Sequence, residues 1–276
     1  MTVQPIHGAG TTQPVLVDRN GAVLTVTLNR PARKNAMDAD AWAMLHAALQ
    51  TAASDNGVRA VVITGAGGNF CAGADLGADR AGHPLHRMRR IADVALTLHE
   101  LPKPVIAKVE GVAVGAGWNL ALGCDLVVAA TSARFSQIFA RRGLSLDFGG
   151  SWLLPRIVGL QQAKRLALLA DIVDAEEALR LGLVTWVKQS DEIDEFVGQL
   201  AQRLAAGPPI ALAQSKALLN EGANQTMRES IENESRAQAV NFATEDAPVA
   251  FRAFVEKTEP EFTGRWAVQR VAGGQQ

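Results

Sequence analysis

Cysteine is scarce: Cys71 and Cys124 are the only two in 276 residues. They stand far apart in small-residue, apolar contexts, so neither a disulfide framework nor a paired-thiol metal site is expected. Both read as reduced thiols of a cytoplasmic protein, and no metal is implied. Blocks of like charge are missing too, and the formal net charge is −1. That excludes a phosphate-backbone footprint, and with it nucleic acid or an anionic membrane as the main partner. The short run Arg87, Arg89, Arg90 reads as a solvated helix face. No stretch is long and apolar enough to span a bilayer, and the opening MTVQPIHGAGTTQP has neither a charged n-region nor an apolar h-region. Residues 1–12 are therefore expected to be a flexible leader. What is present is apolar bulk, 48% of the chain, enough to bury a sizeable core.

Periodicity orders that bulk. Val15–Val17 and Val23–Leu28 are β-rich runs around Asn20-Gly21, whose tolerance of positive φ suits a hairpin turn. Behind a capping-type Asp38, Trp42, Met44, Leu45, Ala48 and Leu49 recur at helical spacing, and Val58–Thr64 reads as a buried strand. A helix over Leu85–Leu101, a strand over Val105–Val109, a glycine-rich turn, a small-residue helix over Gly115–Leu122 and a strand over Leu126–Ala129 follow. Strand, turn and helix thus alternate as in a parallel α/β unit. Beyond Pro155 the chain turns mostly helical, with one short strand expected at Leu183–Val187. Gly207-Pro208-Pro209 marks a boundary. The expected division is a core over 13–206 and a C-terminal helical region over 207–276, too poor in large apolar residues to fold alone and so read as packing on the core or on another subunit.

Two glycine-spaced segments, FCAGADL (Phe70–Leu76) and GVAVGAGWNL (Gly111–Leu120), each follow a predicted buried strand. Gly73, Ala74, Gly115, Ala116 and Gly117 would let the main chain approach a ligand closely, which a backbone oxyanion hole needs. By contrast GAGG (Gly65–Gly68) lacks the full dinucleotide-loop spacing and is followed by FCAG rather than by a helix start.

These segments sit within six ordered motifs: LNRPARKNAMD (Leu28–Asp38), VVITGAGGNFCAGADL (Val61–Leu76), KPVIAKVEGVAVGAGWNLALGCDLVVA (Lys103–Ala129), GGSWLLPRIVG (Gly149–Gly159), Ala175–Val184 and AFVEKTEPEF (Ala253–Phe262). Together they resemble the crotonase superfamily, the enoyl-CoA hydratase/isomerase fold of acyl-CoA enzymes, over nearly the whole chain. The resemblance implies an α/β fold with a crotonase-type ββα spiral core, a C-terminal helical region and a homotrimer or dimer of trimers. It implies an acyl-CoA substrate from fatty-acid or aromatic-acid degradation, with coenzyme A as part of the substrate and no separate cofactor. By motif position, the oxyanion donors would be the amides of Ala74 and Ala116. Ala36, Ala72, Asp75, Leu76 and Gly77 would shape the substrate channel, and Phe254 and Lys257 would meet the adenine and phosphates of a neighbouring subunit's CoA.

The chain departs from the hydratase pattern where that pattern places its two glutamates, which here are Asn119 and Phe139. Neither can exchange a proton as required, although Asn119 could hold a water or a polar substrate group and Phe139 adds apolar wall. Asp147 is the carboxylate left in the expected catalytic loop, where isomerase-like branches carry an aspartate base. Near Phe135, Phe139, Phe148 and Trp118 its pKa should rise by desolvation. The reading is a double-bond shift with Asp147 as base and Trp118, Asn119 and Phe139 lining the pocket, Asn119 as polar lining or as a structural hydrogen-bonder. Alternatives are a hydratase using Asp147 and a water on Asn119, a non-catalytic acyl-CoA binder, and, for Asp147 itself, a helix N-cap ahead of SWLL or a turn residue. His83, His86 and His99 read as exposed or packed, and Glu176 and Glu177 as first-turn helix acids.

Overall fold

The computed structural model describes residues 13–78 and 82–267. The leader expected over 1–12 lies outside the described residues. The chain opens with a hairpin of β1 (Val15–Asn20) and β2 (Val23–Leu28). Asn20 pairs with Val23, so the turn is centred on Gly21-Ala22, one residue later than expected. Gly21, at φ 59°, takes the left-handed position that the hairpin twist demands.

Helix α1 (Ala39–Ser54) starts where the Asp38 carboxylate accepts the Ala41 amide, and it leads to β3 (Ala60–Gly65). Helix α2 (Pro84–His99) begins with proline in its first turn, and the His83 ring accepts the Leu85 amide. Next come β4 (Val105–Val109), β5 (Val112–Val114), α3 (Ala116–Leu122), β6 (Leu126–Ala130) and β7 (Arg134–Ser136). Helix α4 (Gly150–Leu169) is broken at Gly159 and is followed by β8 (Val173–Asp174), α5 (Ala175–Arg180), β9 (Trp186–Lys188) and α6 (Ile193–Ala206). Helices α7 (Pro209–Gly222), α8 (Met227–Phe242) and α9 (Asp246–Glu256) end the succession.

The main sheet runs β1-β2-β3-β4-β6-β9, parallel from β2 onward. Alternate residues of its central strands feed two cores. Ile63, Val105, Val109 and Val127 face α1, α2 and α3, while Val62, Ile106 and Val128 pack under Ile193, Val197 and Ala201 of α6. Burial on both faces explains why β3, β4 and β6 read as continuous apolar runs. The last strand lies later than the expected Leu183–Val187, because Leu183 and Val184 enter the main core and Trp186–Lys188 pair with β6.

The glycine-rich stretch after β4 is not only a turn. It contains β5, which joins β7 and β8 in a second, three-stranded sheet. Helix α7 docks back on the core through Lys216, whose ammonium meets Asp125 at 2.9 Å, and Asn220, which donates to the His99 carbonyl.

Candidate active site

The loop leaving β3 is sewn to β5. The Cys71 amide donates to the Val112 carbonyl (2.9 Å), and the Val114 amide donates to the Cys71 carbonyl (3.0 Å). At Gly73, φ is +83°, and an added Cβ would lie 2.8 Å from the Val114 oxygen and 3.6 Å from the Ala116 nitrogen. Only glycine allows this approach. Met37 then brackets Ala74: its amide donates to the Gly73 carbonyl and its carbonyl accepts the Asp75 amide. The Ala74 N–H between them donates to no acceptor among the described residues.

Helix α3 starts at Gly115, φ +57°, whose amide donates to the Ser136 carbonyl of the second sheet. Ala116 is its first residue, with an N–H likewise unused among the described residues. Gly117 seals the contact, since a Cβ there would fall 2.4 Å from the Cys71 oxygen. Two unused amides thus sit on two segments pressed together by two glycines, Gly73 and Gly117. Cys71 and Cys124 are both buried, and burial pushes the Cys71 thiol up to about 12 and the Cys124 thiol upward as well, so neither is a nucleophile at neutral pH.

Asp147 opens a tight turn. Its carbonyl accepts the Gly150 amide at 2.9 Å, and the two residues between, Phe148 and Gly149, have φ of +48° and +75°. A phenylalanine in that region costs about 1–2 kcal/mol, so the surroundings must hold it. Phe148 is buried and stacks on Trp42 of α1 with ring centroids 5.2 Å apart. The Asp147 carbonyl also accepts the Asn119 side-chain amide at 2.8 Å, and the Asn119 oxygen accepts the Gln137 side-chain amide at 2.8 Å. Gly150 leaves room for this carboxamide, since a Cβ there would lie 2.3 Å from Asn119 Nδ2. The Asp147 side chain caps no helix; α4 has Gly149 as its N-cap. Its Oδ1 is buried without a hydrogen-bond partner, and burial pushes the carboxyl up from 3.8 to about 6.

Ala74 and Asp147 face one cleft of about 770 Å³ between α1, α2 and the loops at 74–78 and 144–147. Its wall is mostly apolar, with Met37, Trp42, Leu76, Met88, Ile91 and Leu146 in the lining. Arg30 ties one side together. Its Nη2 lies 2.9 Å from both the Asp38 and Asp75 carboxylates, and its Nη1 donates to the Ala36 carbonyl. Burial raises the Asp75 pKa, but the hydrogen bonds from Arg30 and the Gly77 amide, with the Arg30 and Arg33 charges, hold it below the usual carboxylate range. Asp40 and Asp93, also in the lining, are exposed.

Asp75 and Leu76 line this cleft with Ala74 and Asp147. Ala36, Ala72 and Gly77 support its loop: the Ala72 amide donates to the Lys34 carbonyl and the Gly77 amide to Asp75 Oδ1. Three residues expected as pocket wall lie elsewhere. Every residue of α3 is buried, so Trp118 packs on Phe135 at 5.3 Å, and Asn119 is spent on Asp147 and Gln137. Phe139 is buried behind Gly115, 3.6 Å from where its Cβ would be. Of the aromatic side chains near Asp147, Trp42 lines the cleft with it, whereas Trp118, Phe135 and Phe139 do not. Phe254 is 87% exposed on α9, and Lys257 is that helix's left-handed C-cap; neither contributes to the cleft. Sequence reasoning missed Arg30, Trp42 and Gln137, although Arg30 lies inside the first motif. Among the described residues no three His, Cys, Asp or Glu side chains could hold a metal, and no helix is long and apolar enough to cross a membrane.

A family model described as enoyl-CoA hydratase/isomerase matches residues 18–265. The chain is similar to a 1,2-epoxyphenylacetyl-CoA isomerase of Escherichia coli K12, 38% identical over 251 residues, covering 88% of this chain and 95% of the relative. It is also similar to a short-chain-enoyl-CoA hydratase of Clostridium acetobutylicum, 35% identical over 252 residues with 90% and 96% covered. Among solved structures, an enoyl-CoA hydratase from Bacillus anthracis superposes with a TM-score of 0.88 at 30% identity, covering 92% of this chain and 100% of that one.

Proposed function

The chain belongs to the enoyl-CoA hydratase/isomerase family, with the crotonase fold, and from that premise we propose that it shifts a carbon–carbon double bond in an enoyl-CoA. In a 3-enoyl-CoA the C2 proton lies between the thioester carbonyl and the alkene. Asp147 removes it, and the electron pair moves into the carbonyl to give a dienolate. The amides of Ala74 and Ala116 hold the developing oxyanion, each contributing about 2.7–4 kcal/mol. Asp147 then returns the proton to C4, leaving the double bond between C2 and C3. One base that takes and returns the same proton suffices, and a carboxyl raised toward neutrality suits both steps.

The observation that carries this reading is the pairing of Ala74 with Asp147 in one cleft, with the Asp147 carboxyl raised by burial. Asp38 and Asp75 both pair with Arg30. The 38%-identical relative is named an isomerase, of an epoxyphenylacetyl-CoA and not of an enoyl-CoA. The same reading has a CoA thioester as substrate and a trimer or dimer of trimers as the assembly. Exposed Leu160, Leu168, Leu169 and Ile172 offer subunit contacts, and exposed Phe254, with Lys257, is available to a neighbour's CoA.

A hydratase is the second reading, favoured by the hydratase names among relatives. It needs a held water, and both ends of the Asn119 carboxamide are already committed. Assaying crotonyl-CoA hydration beside 3-hexenoyl-CoA isomerisation separates the two. Isomerisation in excess supports the proposal, hydration in excess replaces it, and binding without turnover of either would make the protein an acyl-CoA binder.

A further inference from the structure

The Asp147 loop is over-determined in a way that backbone hydrogen bonding alone does not require. The turn from Asp147 to Gly150 has two successive residues in the left-handed region, one of them Phe148. Strained backbone of this kind persists only where neighbours fix it, and it gathers where a side chain must be aimed. Here the neighbours form a chain of side-chain amides from the second sheet to the cleft. Gln137 Nε2 donates to Asn119 Oδ1, and Asn119 Nδ2 donates to the Asp147 carbonyl, both at 2.8 Å.

The polarity of this chain is one-way. The Asp147 carbonyl can only accept, so it takes the Asn119 nitrogen, and the Asn119 oxygen is left for Gln137 Nε2, while Gln137 Oε1 has no partner among the described residues. Gly150, where a Cβ would lie 2.3 Å from Asn119 Nδ2, keeps the contact open. All three side chains are anchored: Asn119 and Gln137 are fully buried, and Phe148 is stacked on Trp42. No hydrogen bond restrains Asp147 Oδ1. The carboxylate is therefore aimed through its backbone rather than through its own oxygens, which leaves those oxygens free for substrate.

We propose that Gln137 and Asn119 are positioning residues that aim the Asp147 carboxylate by clamping the strained turn at its carbonyl. This inference rests on the reading of Asp147 as the base. Asn119→Asp keeps the acceptor for Gln137 but sets an oxygen against the Asp147 carbonyl. Gln137→Met keeps the bulk and leaves the buried Asn119 Oδ1 without its donor, loosening the carboxamide that holds the turn.

The test is isomerisation of 3-hexenoyl-CoA by purified full-length protein, with kcat, KM and the pH profile of kcat for wild type, N119D, Q137M and D147N. The expected result is a fall in kcat of about 10²-fold for N119D and a smaller fall for Q137M. KM should change less than about twofold, because neither residue lines the cleft. The acid limb of kcat should also move in both variants. A packing role alone would lower thermal stability while leaving kcat per folded molecule and the acid limb unchanged, and that result overturns the proposal. Should N119D not fold, Q137M decides the matter by the same criteria. If D147N turns over at the wild-type rate, the base assignment fails. If D147N is inactive while N119D and Q137M match wild type, the relay alone fails.

Discussion

At the scale of single residues, Asp147 makes two opposed claims testable. As the base it must be ionised, so kcat should rise with pH through about 6, and Asp147→Asn should lower kcat by about 10²–10⁴-fold. Charging the same group costs stability. Its native pKa lies above the unfolded value, so the folded state binds the proton more tightly. The stabilisation this confers is full below about pH 4 and is lost as pH rises through about 6. D147N should therefore be more stable than wild type at pH 8, by at most about 3 kcal/mol and less for the carboxylate's partial solvent access, and unchanged or weaker at pH 4. Denaturant unfolding at both pH values reads the sign. Asp147 was legible from sequence as the remaining carboxylate of its loop. Its supports were not, because Gln137 and Asn119 are 18 residues apart and meet only when β7 lies beside α3.

Among elements, the segments carrying Ala74 and Ala116 depend on contacts without slack. Gly117→Ala would drive a methyl onto the Cys71 carbonyl, so it should destabilise by about 1–3 kcal/mol and abolish turnover in whatever folds, as thermal melts and kinetics together would show. Arg30 joins the N-terminus of α1 to the Ala74 loop through one nitrogen shared between Asp38 and Asp75. Lysine has one nitrogen and cannot hold both carboxylates while also serving the Ala36 carbonyl as Arg30 Nη1 does, so Arg30→Lys should lower kcat/KM about tenfold or more while the protein stays folded. Strands β3, β4 and β6 were legible because burial on both faces writes them as unbroken apolar runs. The second sheet was not. Its strands are two or three residues long, and Val112–Val114 has no periodicity to distinguish it from the glycine-rich turn around it. That sheet nevertheless fixes where α3 begins, through the bond from the Gly115 amide to Ser136.

For the whole molecule, six ordered motifs carried the family, and the fold followed from it. Assembly is not written as plainly, because residues that close a subunit interface resemble exposed apolar residues on one chain. Leu168, Leu169 and Ile172 are 71%, 59% and 65% exposed at the end of α4 and the turn after it. Sedimentation should find a species of three or six chains, and Leu168→Lys with Ile172→Lys should shift it toward smaller species. The proposal on which all else depends is that the Asp147 carboxylate and the amides of Ala74 and Ala116 act together in a proton shift. The direct measurement is conversion of 3-hexenoyl-CoA to 2-hexenoyl-CoA by wild type and by D147N at pH 8. Rapid conversion by the first and loss of about 10²-fold or more in the second is the expected result; equal rates, or no conversion by wild type, would contradict it.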